Sequence, residues 1–310
     1  MRIRLGYVAS PIIIEESYSK TMTYKKYLEL GRKHGNERIS KIINDNIESL
    51  KKVILYNKQN EISYYRLSHH IIPFSTFDKV HFSYKKKYKE DLKKVGELFK
   101  KNNVRIEMHT DPFCVINSIS DHIVSESIDM LKYHNYLYSS FEYDGDIIMH
   151  IGSAFPTKEE AINRFIKNFK LIPKSIQEKI ILENDNTTYT VEDILSVCKI
   201  LHIRMVLDYH HFLCMKENHI ENYLKDILNT WETNPTIHFS SPKSKREFKA
   251  HHMYIDYKQF IKFIDILKGY GRDVDIMLEC KGKDEALFRL IKQLKFYTNY
   301  KFINETTFEI

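Results

Sequence analysis

Apolar positions along this chain come in two spacings that take turns. Short runs rich in aliphatic and β-branched residues fall at 3–8, 63–67, 105–108, 146–151, 179–182, 204–207, 236–239 and 275–278. Between them lie amphipathic segments at 39–56, 90–101, 120–137, 158–169, 191–201, 220–230, 257–267 and 284–294. Strand-length runs alternating with helix-length segments are the pattern of a parallel sheet built from β-α units. Eight rounds predict one α/β domain over residues 1–310, a (β/α)8 TIM barrel. Length alone would also admit two ordinary domains, but no repeat or low-complexity linker divides the chain. Two connections are too long for ordinary βα loops, residues 9–37 and 240–257. Both leave from the same end of the expected barrel and are expected to lie over its mouth.

Composition narrows the class. Apolar residues make up 43% and charged residues 29%, which suits a globular chain with a sizeable core. No stretch approaches the roughly 18 apolar residues of a membrane span. The opening "MRIRLGYVAS" lacks an apolar signal segment, so a cytoplasmic protein that meets no membrane is expected. Cys114, Cys198, Cys214 and Cys280 stand singly, which argues against a thiolate zinc site or a disulfide framework. Forty-eight basic against 41 acidic residues give +7, a mild bias toward a phosphate-rich partner.

The 15 histidines matter through their positions. "MVLDYHH" at 205–211 starts as a buried strand and turns within one residue into acid, aromatic and two imidazoles. In barrels of this type the site is built at the C-terminal strand ends. Those ends carry Tyr7, then Ser68-His69-His70, His109, His150, Glu183 with Asn184 and Asp185, Asp208 with His210 and His211, His238, and Glu279. A single histidine at a strand end is more often a hydrogen-bonded structural residue than a ligand. Several converging on three acids would leave buried polar groups unsatisfied unless cations bound them. Nitrogen and oxygen donors without thiolate suit Zn²⁺ or Mn²⁺.

These residues stand in segments that resemble one family over nearly the whole chain. The segments are "RLGY" at 4–7, "SKTMT" at 19–23, "YRLSHHIIPF" at 65–74, "MH" at 108–109, "MHIGSAF" at 149–155, "LENDNTTYT" at 182–190, "DYHHF" at 208–212, "IHFSSPKS" at 237–244, "AH" at 250–251 and "LECKGKDEAL" at 278–287. In this order they resemble the UV damage endonucleases, barrel enzymes related in architecture to AP endonuclease IV. The resemblance implies metal-dependent hydrolysis of the phosphodiester 5′ to a UV-damaged nucleotide in double-stranded DNA, leaving a 3′-hydroxyl. It implies two or three divalent ions, usually manganese, with zinc as the alternative, held by His70, His109, His150, Glu183, Asp208, His211, His238, His251 and Glu279. Strand ends alone nominate all of these except His251. Glu183, Glu279 and His238 are the catalytic candidates, the two glutamates as ion bridges, and the protein is expected to act as a monomer.

Lys243, Lys245, Arg246 and Lys249 on the second long connection, Lys281 and Lys283 after the eighth strand, and Lys20 are candidates for phosphate contacts. Most basic clusters are solvated surface, and "KKKYK" at 85–89 is read that way. Tyr7 and Phe113 are candidate wedges into a disrupted base stack, although core packing is the commoner fate of such aromatics. Three positions depart from the family's pattern. Pro112 replaces a glutamine that precedes the probing aromatic, Thr236 replaces a lysine that can be carboxylated beside the ions, and "AHHM" at 250–253 loses an acid. If Thr236 costs a ligand, a lysine restored there should tighten the weakest ion. Two other readings remain open on the residues: a sugar isomerase or epimerase on the same barrel, and a DNA-binding paralogue with weakened catalysis.

Overall fold

A computed structural model describes all 310 residues. Strand β1 (Arg2–Val8) is followed by α1 (Tyr24–Gln59), β2 (Tyr64–Arg66), α2 (Lys89–Lys101), β3 (Arg105–His109), α3 (Asp121–Ser140), β4 (Asp146–Met149), α4 (Lys158–Phe169) and a short α5 (Lys174–Gln177). The chain continues through β5 (Ile180–Glu183), α6 (Val191–Leu201), β6 (Arg204–Asp208), the short α7 (Tyr209–Cys214) and α8 (Glu221–Asn229). Then come β7 (Thr236–Phe239), α9 (Tyr257–Lys268), β8 (Val274–Leu278), α10 (Lys283–Tyr297) and a hairpin of β9 (Lys301–Phe302) and β10 (Thr307–Glu309).

Strands β1 to β8 pair in parallel and in sequence order, and β1 closes on both β8 and β2, so the sheet is a closed barrel. The closing seam is short: only Tyr7↔Tyr65 and Val8↔Arg66 pair across it. The opposite end of β1 is taken by β10, which pairs antiparallel from Arg2 to Arg4. Sequence patterning places all eight strands and the helices between them. It misses α5, α7 and the final hairpin, and it starts α1 late. That helix begins at Tyr24, capped by Thr23, and is interrupted at Gly31, where φ of 70° breaks the helical spiral.

Period two along each strand separates barrel interior from helix-facing surface. The interior holds a small apolar cluster of Ile148, Ile181, Val206 and Trp231, while a core of 74 buried residues lies mainly between strands and helices. Apart from Met277, the rest of the strands' interior face is largely polar and aromatic. Gly6 sits where any Cβ would come within 2.5 Å of the Tyr64 carbonyl oxygen and 2.8 Å of its ring, so glycine lets β1 and β2 close around that side chain. The N-terminal end of the barrel is tied by buried charge: Asp275 accepts from Arg4 and Arg105, and Asp146 from Arg105 and Arg204. The same parity corrects one expectation. Tyr7 has the outward parity of Ile3 and Leu5, is fully buried, and donates from its hydroxyl to Asn57 of α1 at 2.7 Å. It is a core residue with no face toward a bound DNA.

Candidate metal centre

The interior parity delivers a polar side chain to the C-terminal end of strand after strand. His109 ends β3, Glu183 ends β5, Asp208 ends β6, His238 lies in β7, and Glu279 follows β8. Asp208 and His238 are direct register partners. The Asn184 side chain clamps the β5 and β6 ends together, accepting from Asp208 N at 2.9 Å and donating to Asp208 O at 3.0 Å. Asp208 also caps α7, its Oδ1 accepting from His211 N at 2.7 Å. The strand therefore ends in ligand chemistry because one carboxylate both starts a helix and faces the barrel axis.

Two donor groups share Glu183. Its Oε2 lies 2.9 Å from His109 Nε2 and 3.7 Å from His150 Nε2. Its Oε1 lies 2.8 Å from His238 Nδ1, which is also 3.1 Å from Glu279 Oε1. Glu183, Asp208, His238 and Glu279 bring one donor atom each to within 4.8 Å of one another, as do His109, His150 and Glu183. Two of these imidazoles and that of neighbouring His211 are oriented by backbone: Nδ1 faces Thr110 O at 2.8 Å in His109, Glu183 O at 3.2 Å in His150 and Asn184 O at 2.8 Å in His211. A ring that donates from Nδ1 presents a lone pair on Nε2, the form a metal requires.

Charge in this pocket is strained in a way a cation relieves. Asp208 Oδ2 is fully buried and has no hydrogen-bond partner. Burial pushes the Asp208 carboxyl up to about 6; His211 and His238 pull it down, and Glu279 and Glu183 repel it. Burial would also raise Glu279, but Arg66 and His238 hold it down at about 2. His211 is lifted to about 9 against the cost of its burial, by Asp208, Glu183 and Glu279. Protonated imidazoles and divalent ions are alternative ways of balancing the same carboxylates, so ion binding here must release protons.

A third group stands apart. His69 Nε2 lies 3.0 Å from Asp111 Oδ2, and His70 Nε2 lies 3.6 Å from the same oxygen. His70 thus faces Asp111 and His69, not the group around Glu183. Buried His134 packs behind, its ring 4.4 Å from that of His69. His251 joins no donor group; its ring is 6.3 Å from His211 and 5.4 Å from His210. Sequence reading missed Asp111 as a partner of His70, and it missed Arg66 and Glu107 altogether. The signal for Glu107 was its spacing of two from His109 on one strand.

Around the mouth, Phe113 is 80% exposed beside exposed Pro112. Lys243, Lys245, Arg246 and Lys249 are exposed on the connection between β7 and α9, with Lys243 paired to Glu247. Lys281 is exposed, Lys283 half-buried, and Lys20 exposed with its backbone bonded to the Asn46 side chain.

Known proteins match this arrangement along the full chain. The family described as UV-endonuclease UvdE matches residues 3–309. A UV DNA damage endonuclease of Bacillus cereus (strain B4264) is 37% identical over 311 residues, covering 98% of each chain. The crystal structure of SacUVDE superposes with a TM-score of 0.86 at 31% identity, covering 95% of this chain and 98% of that one. Endonuclease IV from Thermus thermophilus shares the fold alone, with a TM-score of 0.56 at 12% identity over 94% of this chain and 99% of that one.

Proposed function

The chain belongs to the UV-endonuclease UvdE family, and from that premise we propose that it cleaves DNA on the 5′ side of UV-damaged nucleotides with manganese ions held at the barrel mouth. It is a metal-binding TIM-barrel endonuclease. The observation that carries the reading is the buried, unpartnered Asp208 Oδ2 among Glu183, His238 and Glu279. Such an oxygen is costly without a cation and well used with one. No helix is long and apolar enough to cross a membrane.

Glu183, Asp208, His238 and Glu279 would hold ions on the axis, and His109 and His150 would reach one through Glu183. His211 would add a donor beside them, whereas His70 would serve from its separate group with His69 and Asp111, and His251 from 6.3 Å beyond the His211 ring. Bound there, divalent ions supply charge neutralisation for the phosphodiester and acidify an attacking water. The chain's own residues do the rest. Backbone carbonyls fix the His109, His150 and His211 rings, so their donor nitrogens need no reorganisation. The basic connection bearing Lys245 and Arg246 and the ends at Lys281 and Lys20 flank the mouth, where they would hold the DNA backbone. Exposed Phe113 offers a ring for a base displaced at a lesion.

The test is a duplex carrying one UV lesion, labelled at each end in turn and incubated with Mn²⁺. The expected product is one incision on the 5′ side of the lesion that leaves a 3′-hydroxyl a polymerase extends. Incision only on the 3′ side would reject the reading. Binding without incision would favour the weakened paralogue.

A further inference from the structure

We propose that Glu107 is a positioning residue of the metal centre: by sharing the Arg66 guanidinium, it weakens that cation's hold on Glu279 and leaves the Glu279 carboxylate for an ion. The inference rests on the metal-centre reading and concerns residues that the reading does not use. Glu107 lies inside the barrel, on the same strand face as His109, and is 1% exposed. Its Oε1 accepts from Arg66 Nε at 2.7 Å, and its Oε2 accepts from the Tyr64 hydroxyl. Arg66 extends further, donating from Nη1 to Glu279 Oε1 and bringing Nη2 to 2.6 Å from His238 Nε2. One guanidinium is therefore shared between two carboxylates, of which only Glu279 belongs to a donor group.

The consequence follows from charge. Glu183, Asp208 and Glu279 are three acids facing one another, and Arg66 is a fixed cation beside them. Without Glu107, the guanidinium would have Glu279 as its sole carboxylate and would compete with an ion for it. With Glu107 its charge is shared between two carboxylates and its hold on Glu279 is weaker, since buried ions are stable only when paired. The guanidinium also fixes the His238 ring: Nη2 donates to Nε2 at 2.6 Å, and Nδ1 donates to Glu183 Oε1 at 2.8 Å. Residues placed behind metal ligands in this way commonly set affinity by about 10- to 100-fold.

Titration calorimetry with Mn²⁺ on chelator-stripped protein tests this with a double-mutant cycle. Glu107→Gln keeps the shape and an acceptor for Tyr64; it should weaken ion binding about 10- to 100-fold. Arg66→Met removes the competing cation and should tighten it. The double variant Arg66→Met with Glu107→Gln should return close to wild type. Equal affinity in all four proteins would overturn the proposal, as would a double variant no better than Glu107→Gln. If Glu107→Gln does not fold, Arg66→Met decides alone: weaker binding there contradicts the proposed competition. A wild-type protein that binds no divalent ion would instead reject the metal-centre reading itself.

Discussion

The Tyr64 hydroxyl lies 3.1 Å from Thr236 Oγ1, inside the barrel, and the same hydroxyl donates to Glu107. Position 236, which is 1% exposed, is therefore packed against an aromatic side chain and next to a buried carboxylate. This bears on the expectation that a lysine restored at 236 would strengthen the ion site. The interior has been filled from the other side by Tyr64.

Thr236→Lys should consequently destabilise this protein, by about 1–3 kcal/mol for overpacking alone, and should fail to raise ion affinity. Adding Tyr64→Leu should recover part of the stability by making room. Denaturant midpoints of the single and double variants check this; a more stable single variant with tighter ion binding would show that the interior is not closed at this point.

The salt dependence of DNA binding should report the connection after β7. Replacing Lys245 and Arg246 by Ala should weaken binding to all sequences alike and lower the magnitude of the salt slope by about 0.9 for each phosphate that is no longer neutralised. Filter binding or fluorescence anisotropy across a salt series provides the slope. A slope equal to wild type would assign these exposed side chains to solvated surface.

Pro112 and Phe113 should govern discrimination rather than metal content. Phe113→Ala should lower the ratio of rates on damaged and undamaged DNA by roughly tenfold, consistent with ~1–3 kcal/mol for stacking on one base. Pro112→Gln, which restores a side-chain donor and acceptor, should change the same ratio without changing bound metal. Elemental analysis alongside rate measurements on both substrates separates the two effects.

Much of this architecture is legible in the sequence because barrel strands and helices differ in period, and the site is legible because acids and imidazoles at strand ends have few structural uses. What escaped reading has physical causes. Gly31 and a polar run hide the first turns of α1. Tyr7 looks like a mouth residue until strand parity turns it outward against Asn57. Arg66 and Glu107 read as ordinary charged residues in short strands, since sequence alone cannot show that both face the barrel axis and satisfy each other. The partnership of His70 with Asp111 depends on how two loops fold back and has no periodic signature.

Stability should depend on pH through His134. Burial, with repulsion from His69, holds its imidazole down at about 3 against an ordinary value of 6.5. The unfolded chain then takes up this proton before the folded one does, so the stability is fully present above pH 6.5 and is lost as pH falls toward 3. His134→Leu should flatten that part of the profile. Thermal unfolding in chelator from pH 7 to 4 measures it, and parallel profiles for both proteins would contradict this assignment.

The central claim is that carboxylates at the ends of β5 and β8 hold ions that cleave damaged DNA. Supercoiled plasmid, irradiated or not, incubated with wild-type protein, Glu183→Gln and Glu279→Gln in Mn²⁺ or in chelator tests it most directly. The predicted result is nicking of irradiated plasmid by wild type in Mn²⁺, little on unirradiated plasmid, none in chelator, and activity at least about 100-fold lower in either variant. Nicking that survives chelation, or that both variants perform at the wild-type rate, would contradict it.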